Sequence, residues 1–120
     1  MKPDDLLSGE SKNIEFKEKL PEKSEKYLKS IIAFANTSGG KLVIGIKDKT
    51  REVIGVPKDD VFDLMDQITN AISDNSIPQI VPNIYFQSIE EKTVIVVEVY
   101  PGQMRPYYLK SLGKEKGTYV

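Results

Sequence analysis

A chain of 120 residues is long enough for one domain with a single core, and 39% apolar with 29% charged side chains is the composition of an ordinary globular protein. Neither cysteine nor histidine occurs, which excludes disulfides, thiol nucleophiles, Ser-His-Asp triads and Cys/His zinc sites within the chain. Any chemistry must come from carboxylates, lysines, hydroxyls and a hard cation such as Mg²⁺ or Mn²⁺, which oxygen ligands suit.

The opening MKPDDLLSGE is a polar lead-in without the apolar centre of a signal peptide. No apolar run approaches the roughly 18 residues of a membrane span, and the lack of cysteine suits a cytoplasmic setting. Asn13–Glu18 alternates, with Ile14 and Phe16 on one side and Glu15 and Lys17 on the other, which predicts a half-buried strand stopped by Leu20-Pro21. Ser24 is placed to cap a helix over Glu25–Asn36, whose buried stripe is Leu28, Ile31, Ile32 and Ala35, flanked by Tyr27 and Phe34. Asn36-Thr37-Ser38-Gly39-Gly40 reads as a helix stop, since glycine tolerates the left-handed backbone that closes a helix.

Lys41–Lys47 follows as an interior strand, apolar on both faces, with Leu42, Ile44 and Ile46 on one side and Val43 on the other. Gly45 within it marks a place where another backbone or a ligand comes close. The glycine pair is not a phosphate loop: the order is helix, glycines, strand, so the glycines sit at the negative end of the helix, and the G-x-x-x-x-G-K-[ST] pattern is absent.

Arg51–Val56 reads as a short strand after a turn at Lys49-Thr50. Asp59 or Asp60 can cap a second helix ending near Asp74, with Val61, Met65, Ile68 and Ile72 buried, Phe62 and Leu64 beside them, and Asp63 and Asp66 exposed. A loop holding two prolines spans Asn75–Pro82. Asn83–Ile89 and Thr93–Tyr100 form a hairpin around Glu90-Glu91-Lys92, ended by Pro101-Gly102. Pro106–Leu112 and Gly117–Val120 read as two more strands around the turn Gly-Lys-Glu-Lys-Gly. The chain stops inside what reads as a strand, so further domains are expected after it.

Charge is unevenly spread. Residues 1–51 hold 11 basic and 8 acidic side chains, residues 52–91 hold 1 and 8, and residues 92–120 hold 5 and 2. A basic face on a near-neutral molecule can arise from such asymmetry, and so can a mixed surface with one acidic helix.

Three constellations could carry function. Glu10, Glu15 and Asp48 would converge at a sheet end if their strands are neighbours, with Lys17 nearby; such a set can hold a divalent metal for phosphodiester hydrolysis. The plain alternative is three surface acids. In residues 105–119, Arg105, Lys110, Lys114 and Lys116 alternate with Tyr107, Tyr108 and Tyr119, which could neutralise phosphates and stack on bases, or merely cover a core edge. Lys12, Lys17, Lys47 and Lys49 are the matching candidates in the first part of the chain. On the first helix, Lys26 and Lys29 share a face with Lys23 close by, a pattern that also fits a solvated surface.

ESKNIEFKEK (10–19), AFANTSGGKLVIGIKD (33–48) and the RPYYLK-to-GTYV tail (105–120) together resemble the Schlafen AlbA-type domain. That family occurs in bacterial transcriptional regulators and RecG-helicase-related ATP-binding proteins, and in animal Schlafens. The resemblance implies one α+β domain over residues 1–120, with a mixed or antiparallel sheet of about six strands and two main helices, standing at the N-terminal end of a multidomain protein. It also implies nucleic-acid binding. In animal members that cleave RNA, an acidic triad falls on the positions of Glu10, Glu15 and Asp48 here. Those enzymes use two lobes to form a cleft, and a homodimer of this chain would supply the second.

Three readings follow. The first is a DNA- or RNA-binding domain of a transcriptional regulator that uses basic segments at both chain ends. The second is a divalent-metal-dependent endoribonuclease with Glu10, Glu15 and Asp48 as ligands and Lys17 stabilising the transition state. The third is a protein-interaction or dimerisation module contacting partners through the acidic second helix.

Overall fold

A computed structural model describes residues 13–120. In chain order the elements are β1 (Ile14–Lys17), α1 (Glu25–Asn36), β2 (Gly40–Ile44), α2 (Val61–Asn75), β3 (Ser76–Ile77), β4 (Asn83–Ile89), β5 (Lys92–Val99), β6 (Tyr108–Leu109) and the single-turn α3 (Gly113–Gly117). The main sheet has the order β1-β2-β5-β4. β1 and β2 are parallel, while β2–β5 and β4–β5 are antiparallel. Parallel neighbours need a crossover, and α1 supplies it. A two-stranded ladder of β3 and β6 stands apart. This is the mixed-sheet α+β domain expected, with six strands and two main helices among the described residues. No helix among the described residues is long and apolar enough to cross a membrane.

Both main helices lie on one face of the sheet. Leu28, Ile31, Ile32 and Ala35 of α1 and Val61, Ile68 and Ile72 of α2 pack on Leu42, Ile44, Ile95, Val97 and Val99. The other face has its own core of Phe16, Val43, Ile46, Val53, Ile89, Val94 and Val96. Burial from both sides is why VIVVEV is apolar at nearly every position.

The glycine pair has a steric cause. Gly39 adopts φ 83, and a Cβ there would lie 2.7 Å from the Val99 carbonyl oxygen. A Cβ on Gly40 would lie 2.6 Å from the Phe34 ring and 2.7 Å from the Asn13 carbonyl oxygen. The turn out of α1 therefore passes flush against β5 and the start of β1, and only glycine fits. Gly45 is also the close approach expected: its carbonyl accepts the N–H groups of Ile54 and Gly55, each at 2.8 Å.

Four expectations need correcting. Ile46 does not share a face with Leu42 and Ile44. Gly45, at φ 113, ends β2 and reverses the alternation, sending Ile46 into the second core. Arg51–Val56 is not a strand but a loop, held by the isolated bridge Ile46–Val53 and by the N–H groups of Ile54 and Gly55 on the Gly45 carbonyl and of Val56 on the Thr93 carbonyl. The C-terminal hairpin is absent: β6 pairs with β3, and the Gly-Lys-Glu-Lys-Gly stretch is a helical turn entered through Gly113 at φ 78. Ser24 and Asp60 do occupy the N-cap positions of α1 and α2, but neither makes the side-chain hydrogen bond expected of a cap. Asp59 and Asp60 instead form a 3₁₀ turn before α2, where their charge favours the helix N-terminus.

Two predictions follow from the backbone. Gly39→Ala lowers unfolding stability by about 2–4 kcal/mol, from left-handed strain plus the clash, whereas Gly113→Ala, with the same sign of φ but nothing within 4 Å, costs about 1 kcal/mol. The β4–β5 turn holds Glu90 and Glu91 at φ 52 and 67, a two-residue type I′ turn that favours Asn-Gly. Replacing the pair by Asn-Gly raises stability by about 0.5–1 kcal/mol in urea unfolding.

Candidate nucleic-acid interface

α1 buries Tyr27, Leu28, Ile31 and Ile32, and this leaves Lys26 and Lys29 exposed on its N-terminal half, with Lys23 exposed just before it. These three lysines and Tyr119 line an open groove of about 660 Å³, which also holds Glu22, Ser24 and Glu25. Lys19, Leu20 and Pro21 continue the surface from Lys23 and Lys26 towards β1. Lys17 stands on the outer strand of the sheet, on the same face as α1.

The C-terminal segment is fastened to this helix by Asn36. Its Oδ1 accepts the Tyr107 N–H at 2.7 Å, and its Nδ2 donates to the Tyr107 carbonyl at 2.9 Å and the Tyr119 carbonyl at 2.8 Å. Arg105 donates from Nη1 to the Asn36 carbonyl at 3.5 Å. One buried amide thus ties Tyr107 and Tyr119 to the C-terminal end of α1. Sequence reasoning missed Asn36, because an asparagine at a helix end reads as a stop signal. It also missed the pairing of Tyr119 with the α1 lysines, since the two lie nearly a hundred positions apart.

The expected aromatic residues divide. Tyr107 is buried: its ring packs on Gly102, where a Cβ would lie 2.1 Å from Cε1, and its hydroxyl accepts the Met104 N–H at 3.2 Å. Tyr108 and Tyr119 are half-buried. Arg105, Lys110, Lys114 and Lys116 are exposed, with Lys110 bonded through its N–H to the Asn75 carbonyl near the end of α2.

The acidic candidates are held by separate partners. Glu15 points to the α1 side of β1, where its Oε2 accepts the Ser30 hydroxyl at 2.7 Å and lies 3.8 Å from the Lys17 ammonium. Asp48 is exposed in the loop after β2, 3.3 Å from Arg51 Nη1. Arg51 in turn stacks 4.2 Å over the ring of Phe16, which belongs to the opposite face of β1 from Glu15. Lys47 and Lys49 belong to that same loop, Lys47 lying 3.7 Å from Glu52. Glu10 and Lys12 lie outside the described residues. Among the described residues, no three acids gather as a metal site. Glu15 and Asp48 are thus held by separate basic partners, Lys17 and Arg51, on opposite faces of β1.

The opposite edge of the sheet is acidic. Asp59, Asp60, Asp63 and Asp66 are exposed at the start of α2, which meets β4 through an edge-to-face contact of Phe62 and Phe86 at 5.8 Å. Strand order thus places the acidic start of α2 at the β4 edge, across the sheet from the mixed lysine and glutamate surface of β1 and α1.

Asn36→Ala leaves two carbonyls and one N–H without their partner. It is expected to lower stability by about 2–4 kcal/mol, read as a lower urea midpoint at unchanged slope.

The comparisons agree with this fold. The chain is 24% identical to the N-terminal domain of a RecG-related protein from Nitrosomonas europaea, with a TM-score of 0.71 over 96% of this chain and 84% of that one. A Corynebacterium diphtheriae protein matches at 21% identity and TM-score 0.64, over 90% of this chain but 23% of its own. An uncharacterized ATP-binding protein of Ureaplasma parvum is 35% identical over 79 residues, 61% of this chain, and this chain spans 22% of that relative. The family model described as "Schlafen, AlbA_2" matches residues 10–120, and the chain belongs to that family.

Proposed function

We propose that this domain binds the sugar-phosphate backbone of DNA or RNA along α1 and the C-terminal segment, within a larger regulator of transcription. The observation that carries the reading is that Tyr119 of the second basic stretch lines one groove with Lys23, Lys26 and Lys29 of the first, with Asn36 as the tie to α1. Lys17, Lys23, Lys26 and Lys29 supply charge from the first stretch, and Arg105, Lys114 and Lys116 from the second. Ammonium groups on exposed, mobile stems suit phosphate contacts, which position a nucleic acid without reading its bases. Tyr119 in the groove offers a ring on which a base can stack. Membership of the Schlafen AlbA_2 family supports a nucleic-acid role.

The reading is tested by fluorescence anisotropy with duplex DNA and with transfer RNA across a salt series. For four or so phosphate contacts, log Kobs falls with log salt at a slope of about −3 to −4. Replacing Lys23, Lys26 and Lys29 by glutamine reduces the magnitude of that slope by about 2–3, to the same extent for every duplex sequence. Affinity that ignores salt, or a triple variant with the wild-type slope, contradicts the proposal. Transfer RNA is expected to stay intact with Mn²⁺; cleavage lost in Glu15→Gln would instead make the surface that of a nuclease.

A further inference from the structure

The far edge of the main sheet carries a second surface. Among the described residues, β4 pairs with β5 alone. Outer strands are commonly guarded by lysine, proline, a bulge or brevity. β4 has none of these guards: it runs seven residues, NIYFQSI, without a charged side chain or proline, in unbroken register from Asn83↔Glu98 to Ile89↔Lys92.

The turn determines which backbone groups of β4 face outward. A two-residue type I′ turn at Glu90-Glu91 makes Ile89 and Lys92 a hydrogen-bonded pair. Alternation then puts the next hydrogen-bonded pairs at Gln87, Tyr85 and Asn83, and points the N–H and C=O groups of Ser88, Phe86 and Ile84 away from β5. The outward set includes Phe86, whose side chain is 51% exposed and touches Phe62, 67% exposed, on α2. Two phenylalanines so open on one face form an apolar patch of the kind that partners cover. The charge around it is mainly acidic: Asp59, Asp60, Asp63 and Asp66 beside Phe62, and Glu90 and Glu91 at the end of the strand, all exposed, outnumber the neighbouring Lys58 and Lys92.

We infer that β4 is a docking edge for an extended cationic peptide segment of a partner protein. The peptide adds to the sheet as a further strand through Ile84, Phe86 and Ser88. It sets an apolar side chain against the Phe62–Phe86 pair, and its lysines or arginines face the acids of α2 and the turn. Main-chain pairing gives affinity, and the aromatic pair and the charge give selectivity. A second copy of this chain is a poorer occupant, because two-fold pairing of β4 with itself brings two acidic α2 helices to one seam. The edge lies across the sheet from α1, so peptide and nucleic acid can be held together.

The test uses the whole chain, ¹⁵N-labelled, and a short synthetic peptide that alternates lysine and valine around a central phenylalanine; the control replaces each lysine by glutamate. The lysine peptide is expected to bind at least tenfold more tightly than the control. Binding slows hydrogen exchange at the amides of Ile84, Phe86 and Ser88 by about tenfold or more, and leaves Tyr85, already bonded within the sheet, unchanged. Phe62→Ala, at an exposed position that leaves the fold intact, weakens binding by about tenfold. Binding without protection of those three amides means charge adhesion to α2 alone and overturns the inference. No binding at millimolar peptide overturns it as well. Slow exchange at the same amides in the free chain, growing with protein concentration, assigns the edge to a second copy and also overturns it.

Discussion

Asn36, the last residue of α1, binds through its side chain three backbone groups that lie 71 and 83 positions further along the chain. An asparagine amide offers two donors and an acceptor that can take two bonds, and three of these four are used here. The segment it holds has little regular structure of its own beyond β6 and one turn of α3. Without the clamp, Tyr107 would lose the bonds that fix it over Gly102, and Tyr119 would lose its place beside the α1 lysines. Long-range order in the C-terminal segment therefore rests on this buried side chain together with the short β3–β6 ladder and the bonds of Asn75 to Lys110 and Ser111.

That clamp acts on a frame set by the sheet. Gly39 and Gly40 let the chain leave α1 and enter β2 in close contact with β5, which fixes how α1 lies across the strands. The order β1-β2-β5-β4 then sends the basic start of the chain to one edge and the acidic middle to the other. The acids of α2 are thus kept a sheet's width from the α1 lysines, while Glu15, Glu18, Glu22 and Glu25 remain interleaved with those lysines. The few pairs seen are exposed or half-exposed, such as Lys17 with Glu15 and Arg51 with Asp48, and exposed pairs contribute little to stability. A net charge of −1 conceals this arrangement, because the sum is insensitive to where the charges lie.

Elements with a strong period were legible in the sequence. The stripe of Leu28, Ile31, Ile32 and Ala35 gave α1 to the residue, and the doubly apolar run VIVVEV placed β5 inside the sheet. Gly45 was rightly read as a point of close approach, yet its left-handed backbone, which turns Ile46 to the other face, leaves no trace in hydrophobic alternation. The tail misled because alternating tyrosines and lysines look like strands, while a short stretch fixed by distant bonds follows tertiary demand instead of local propensity. For the site, the lysines of α1 were visible but read more readily as a solvated face. What singles them out is Tyr119, and only the fold brings it there. The convergence of Glu15 and Asp48 was a reasonable extrapolation from parallel neighbours. In the structure Asp48 follows the loop begun at Gly45 and bonds Arg51 over Phe16, on the side of β1 opposite Glu15.

The central claim is that two distant basic stretches form one nucleic-acid surface on α1. It is tested most directly by titrating the ¹⁵N-labelled chain with a short DNA duplex and mapping the perturbed amides. The account predicts one contiguous patch at low and moderate salt, covering residues 17–29 and 113–119 together and moving along a single binding curve. Perturbations confined to one of the two stretches, or centred on the loop of residues 47–52, would contradict it.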